Sequence, residues 1–227
     1  MLANAGLQTI SMTRTRAVLF DLDGTFADTA PDMARALNAI RHSRKLAPLP
    51  LAELRGYVSQ GARGMIGAGF GISPDHADFP ELRDAFLDQY ERAICIETAL
   101  FPGMPQLVGL LEKRDIAWGI VTNKATRFTM PLARALGIDI TAGCIVCGDT
   151  CARAKPYPDP LLHAAQLIGI APQDCLYIGD DIRDIQAAHA AGMRSVAALY
   201  GYHGGSDPNT WNANAQINSP SEIAALL

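Results

Sequence analysis

Two carboxylates, Asp21 and Asp23, follow a short apolar run (residues 17–20, AVLF) and precede Gly24. A short apolar run bounded by turn residues reads as a strand buried on both faces. Such a strand would deliver both acids to its carboxyl end. Three later segments end in complementary groups: Thr122 and Asn123 after residues 117–121, Lys155 a little beyond 143–147, and Asp180 with Asp181 after 175–178. In a parallel sheet these ends share one edge, where open α/β sheets place their ligand crevices. Carboxylates gathered at the rim of a core repel one another and lose hydration, so the group calls for a cation. Four acids, a lysine and a hydroxyl suit phosphoryl transfer assisted by Mg2+, a hard ion that prefers oxygen ligands. Alone, the first pair reads equally well as a strand end with an Asp-Gly turn; the four segments together carry the expectation.

The elements that must position these groups alternate. Helical patterns near 104–113, 128–136, 159–168 and 182–192 separate the apolar runs at 117–121, 143–147, 175–178 and 195–199, and Pro220-Ser221-Glu222 caps a last short helix. Strands alternating with helices of this length build parallel βαβ units. Between Thr29 and about Thr98 the texture is helical instead. Pro31 suits a first helical turn, with Met33, Ala36, Leu37 and Ile40 as its stripe. A short helix follows at 51–58, then the glycine-rich stretch 59–64, then a long amphipathic helix from Pro80 through Phe86, Tyr90 and Ile94. The expected fold is therefore α/β: a Rossmann-like parallel sheet formed by residues 14–28 and 104–227, a helical insert at 29–103, and a flexible leader at 1–13.

The totals exclude several classes. A formal charge of −4 over 227 residues disfavours nucleic acid or an anionic membrane as partner. No apolar stretch approaches the ~20 residues that span a bilayer. The first residues lack a signal core and cleavage site, so the expected setting is cytoplasmic, and Met12 offers a second start. Five cysteines are an odd number at low density, which argues against a disulfide framework. Cys144, Cys147 and Cys151 cluster but lack a fourth zinc ligand. The five histidines show no paired ligand spacing, and Trp118 and Trp211 read as packing residues.

The motifs DLDGT (21–25), Thr122, Lys155-Pro156 and GDDIRD (179–184) together resemble the haloacid dehalogenase superfamily, in its phosphatase branch. The resemblance covers nearly everything after Met12 and makes the insert at 29–103 a helical cap. It implies that Asp21 is the nucleophile and Asp23 the general acid and base. Thr122 and the amide of Asn123 hold phosphoryl oxygens, with Gly24 and Thr25 beside them, and Lys155 neutralises charge. Mg2+ is held by Asp21, the carbonyl of Asp23, and Asp180, with Asp181 and Asp184 behind them. An aspartate at position 23 favours phosphomonoester hydrolysis or phosphomutation over carbon–halogen cleavage. Phe26 departs from the smaller aliphatic residue common in relatives.

Within the superfamily the chain is similar to the phosphoglycolate-phosphatase-like branch. SQGARGMI, LFPGMPQL, WGIVTNK, YIGDDIRDI and GYHGGSDPNTW point more narrowly to phosphatases of N-acetylmuramic acid 6-phosphate. Both substrates are small phosphate esters that carry a carboxylate. Arg63 in the cap is the expected partner of that carboxylate, because guanidinium offers a planar two-pronged donor; a solvated surface arginine is the competing reading. A monomer or a homodimer is expected. A receiver that accepts phosphate on aspartate, and a silent sugar-phosphate binder, are rivals of a different class. Receivers are shorter and lack a helical insert, and no named catalytic position is missing.

Overall fold

The computed structural model describes residues 14–227; the expected leader at 1–13 and the alternative start at Met12 lie outside them. Strands β1 (Ala17–Phe20), β4 (Ala117–Val121), β5 (Cys144–Val146), β6 (Cys175–Gly179), β7 (Arg194–Ala198) and β8 (Ala215–Ile217) form one parallel sheet in the order β5-β4-β1-β6-β7-β8. All four residues of β1 are fully buried, as a central parallel strand covered on both faces requires. Its side chains alternate. Val18 and Phe20 pack with Trp118, Ile120 and Leu107 of α5 (Met104–Lys113), while Ala17 and Leu19 pack with Tyr177 and with α7 (Asp159–Ile168) and α8 (Ile182–Ala190). α6 (Thr126–Ala135) completes the cover beside β4.

After β1 a tight loop turns the chain back, with Gly24 donating its N–H to Ala27 O at 3.0 Å. A two-residue strand, β2 (Ala27–Asp28), then pairs antiparallel with β3 (Ala99–Leu100). Between them lie α1 (Ala30–Ser43), α2 (Leu51–Leu54), a 3-10 turn (Arg55–Gln60), α3 (Gly61–Phe70) and α4 (Phe79–Arg92). These helices bury a second apolar core that includes Met33, Leu37, Ile66, Phe86 and Tyr90.

The alternation of strands and helices matches the sequence expectation closely. Two features were not foreseen: β8, and the β2–β3 ribbon through which the chain enters and leaves the helical block. The tail element is a 3-10 helix (Pro220–Ala225). Phe26 is a core residue, stacked on Trp118 with ring centroids 5.5 Å apart and set edge-on to Phe20. The aromatic side chain at this departure position therefore fills volume under the sheet. Cys144 and Cys147 are buried free thiols and Cys151 is half-buried, behaving as small hydrophobes.

Candidate active site

Register builds the site. β1 pairs Phe20 with Ile120 on one side and Ile178 on the other, so Asp21, Thr122 and Asp180 emerge together at the carboxyl edge. Asp21 N–H still bonds Ile178 O, and Thr122 N–H bonds Val146 O, each at 2.9 Å. Backbone bonding to the last strand residues holds these side chains rigidly. Gly24 has φ +84°, and a Cβ there would fall 2.2 Å from Asp180 Oδ2. Only glycine lets the loop come this close. The structure gives Gly24 and Thr25 a supporting place: Thr25 is fully buried and donates to Asp180 Oδ1 at 3.1 Å.

Lys155 is the hub. Its Nζ donates to Asp21 Oδ1 (2.8 Å), Asp184 Oδ1 (2.7 Å) and Val121 O (2.9 Å), and lies 2.9 Å from the Tyr177 hydroxyl. Burial disfavours its charge, but the carboxylates of Asp184 and Asp21 outweigh that and hold its pKa above the ordinary value. The Asn123 side chain fixes the loop that delivers Lys155, donating to Lys155 O and accepting from Lys155 N–H. Asp184 is fixed in turn by a capping box: Asp181 caps α8 by accepting from Arg183 N–H, and Asp184 Oδ2 accepts from Asp181 N–H.

Asp23 meets different surroundings. The Thr29 hydroxyl donates to its Oδ1 at 2.5 Å, and Lys124 Nζ to the same atom at 2.8 Å. Lys124 in turn lies 4.7 Å from the Tyr90 ring centroid on α4. Burial pushes the Tyr90 hydroxyl up to about 12. Asp21 and Asp23, two residues apart, thus have separate lysines.

Carboxylate oxygens of Asp21, Asp180 and Asp184 lie within 4.8 Å of one another. Burial, opposed by Lys155, lifts Asp21 to about 6. Burial with the charges of Asp21 and Asp184 raises Asp180 well above the usual carboxylate range. Buried acids strained this way fit a hard divalent cation, whose charge would offset both costs. Asp180 accepts bonds at both oxygens, from the Thr25 hydroxyl and from Tyr202 N–H. Both oxygens of Asp184 already accept bonds from Lys155 and from Asp181 N–H.

Above this edge lies a cavity of about 260 Å³. Asp21, Asp23, Thr122, Asn123 and Lys155 line its floor, and Met33, Phe86, Leu87 and Tyr90 from the helical block, with Phe128 of α6, form an apolar wall. Arg63 is not there. It lies exposed on α3, whose buried positions at this turn are Gly64, Met65 and Ile66. One residue turns a helix by about 100°, which carries Arg63 out to solvent. The guanidinium that lines the cavity is Arg183. Sequence reading also missed Lys124, Tyr177 and Thr29. Only Lys124, next to a strand end, carried a local signal.

A family model described as haloacid dehalogenase-like hydrolase matches residues 15–192. The chain belongs to this family. Among curated relatives, an N-acetylmuramic acid 6-phosphate phosphatase of Pseudomonas aeruginosa is 40% identical, over 94% of this chain and 95% of its own. A phosphoglycolate phosphatase of Xanthomonas campestris pv. campestris is 44% identical over 92% and 94%. A solved structure described as a predicted phosphoglycolate phosphatase from Haemophilus somnus superposes with a TM-score of 0.83 at 24% identity, covering 95% of this chain and 99% of that one. The haloacid dehalogenase-like fold, with its parallel six-stranded sheet, is shared with that structure, and the chain is an enzyme of the phosphatase group.

Proposed function

We propose that the chain is a Mg2+-dependent phosphomonoester hydrolase acting on a small carboxylate-bearing phosphate, N-acetylmuramic acid 6-phosphate first of all. One observation carries the reading: Asp21 is held by a saturated lysine beside two further buried acids, at the floor of a cavity with an apolar wall. Asp21 attacks phosphorus in line and becomes an aspartyl phosphate. Asp23 protonates the leaving oxygen, then takes a proton from the water that releases phosphate. Thr122 and the Asn123 amide hold phosphoryl oxygens. Lys155 offsets charge that an anionic nucleophile and an anionic ester would otherwise bring into collision. Mg2+, held by Asp21, Asp180 and the Asp23 carbonyl, would supply the rest of that neutralisation. Residues 29–103 act as the cap that selects the leaving group.

A two-carbon glycolate leaves the wall of Met33, Phe86, Leu87, Tyr90 and Phe128 facing water. A sugar ring with acetyl and lactyl groups covers it, which supports the larger ester. The second reading, 2-phosphoglycolate, draws support from the Xanthomonas relative. The expected cytoplasmic setting belongs to the same proposal; no helix among the described residues is long and apolar enough to cross a membrane. A phosphate-release panel with N-acetylmuramic acid 6-phosphate, 2-phosphoglycolate and β-glucose 1-phosphate tests the choice. The highest kcat/KM is expected on the first. Preference for the second overturns the substrate, and turnover of the third without phosphate release indicates a mutase.

A further inference from the structure

Three cations line the cavity, and their hydrogen bonding separates them. Lys155 has three N–H donors and four acceptors around them, with a side chain only 3% exposed. Lys124 is 8% exposed, committed to Asp23 and covered by the Tyr90 ring. Arg183 is 35% exposed. Its Nε and Nη2 chelate Asp181 at 2.8 and 2.9 Å, and Nη2 also donates to Ser59 O at 2.7 Å. Among the described residues Nη1 has no partner. Arg183 therefore keeps one edge of its fork for something else.

The surroundings of that edge suit an anion. Arg183 stands in the first turn of α8, where the helix dipole adds positive potential. Asp181 is engaged on the opposite edge, while Asp184 and Asp21 act on the guanidinium through charge without a hydrogen bond to it. Across the seam, the Ser59 hydroxyl is buried without a partner and lines the same cavity. Both groups are donors, and they come from different parts of the chain, α8 and the 55–60 turn.

We propose that Arg183, with the Ser59 hydroxyl, recognises the substrate's carboxylate and so determines which phosphate ester is accepted. This rests on the phosphatase reading above and moves the carboxylate partner from Arg63 to Arg183. The group bound is the carboxylate common to both candidate esters, a lactyl or a glycolyl one. Binding it would also tie α8 more firmly to the 55–60 turn that Arg183 already touches.

The test compares kcat/KM for carboxylate-bearing and neutral partners: N-acetylmuramic acid 6-phosphate against N-acetylglucosamine 6-phosphate, and 2-phosphoglycolate against 2-hydroxyethyl phosphate. Arg183→Gln is expected to lower the carboxylate-to-neutral ratio by about 10- to 100-fold in the pair that carries the natural ester, mainly through KM. Arg183→Lys, which keeps a point charge but not the fork, is expected to lower it several-fold. Circular dichroism and Mg2+-dependent hydrolysis of p-nitrophenyl phosphate report whether each variant is folded. An unchanged ratio in whichever variant folds would overturn the proposal, because a residue that only latches the cap would slow both members of a pair alike. A ratio lost in Arg63→Ala instead would also overturn it. Failure of the wild type to hydrolyse any of these esters would sink the phosphatase reading itself, a different result.

Discussion

Asp21 and Asp23 show how neighbouring groups can be given different work. Asp23 has its own lysine and a threonine hydroxyl, whereas Asp21 shares Lys155 with Asp184 and faces Asp180. In the absence of metal, the folded Asp21 keeps its proton up to about pH 6, against 3.8 for the ordinary side chain. The folded state then binds more protons than the unfolded one inside that window, so Asp21's contribution makes stability fall as pH rises through it. A cation at the three carboxylates reverses the penalty, and protons compete with it. The rise in Tm caused by millimolar Mg2+ is therefore expected to be larger at pH 7.5 than at pH 5, and to shrink in Asp180→Asn. Scanning calorimetry at the two pH values checks this; an equal rise at both would contradict it. Asp21, Asp23, Thr122 and Asp180 were legible in the sequence because each lies at or just past the end of an apolar run that strand register aligns, and Lys155 because it stands in a Lys-Pro pair shortly beyond another. Arg183 was not, because its role depends on Ser59, 124 residues away; Tyr177 and Thr29 sit in an apolar strand and a helix entry with no charge pattern to mark them.

Elements tell the same story of local signal against distant partner. The helices were legible from proline at the first turn and from apolar stripes, as in α1 with Met33, Ala36, Leu37 and Ile40. β8 was not, since three residues with one fully buried side chain, Ile217, offer little pattern. The β2–β3 ribbon is shorter still and owes its pairing to the entire insert between its strands. Asp32 explains how that insert is closed. Fully buried on α1, it accepts from the N–H groups of Ile96, Glu97 and Thr98, from the Thr98 hydroxyl, and from Arg35. Burial alone would raise its pKa, but these bonds outweigh burial and hold it below 3.8. Its contribution is thus complete above that value and is lost as pH falls through the lowered one. Asp32→Asn is expected to cost about 2 kcal/mol at pH 7, a drop in Tm of roughly 4–8 °C. The gap from wild type should narrow on going to pH 3; a pH-independent gap would contradict the charged role.

Across the whole molecule, the sheet edge and the helical block are joined through Tyr202. Its N–H donates to Asp180 Oδ2 at 2.7 Å, and its hydroxyl donates to Asp28 and accepts from Thr29 and Ala30 N–H. Arg55 grips the same Asp28 from the block at 2.7 Å. The strand-end Asp180, β2 and the start of α1 therefore meet at one residue, through its main chain and its hydroxyl. Tyr202→Phe strands the buried Thr29 N–H and leaves Ala30 N–H only its long bond to Asp28, and a loss of about 1–3 kcal/mol is expected. The backbone bond to Asp180 survives in this variant, so Mg2+ affinity by isothermal titration is expected to stay within a few-fold; a loss of tenfold or more would contradict the separation of the two ends. The most direct check of Asp21 as nucleophile is a crystal structure of the protein soaked with beryllium fluoride and Mg2+. The account predicts the fluoride bonded to a carboxyl oxygen of Asp21, with Lys155 and Thr122 around it; a mimic seated elsewhere in the cavity, out of reach of that oxygen, would contradict it.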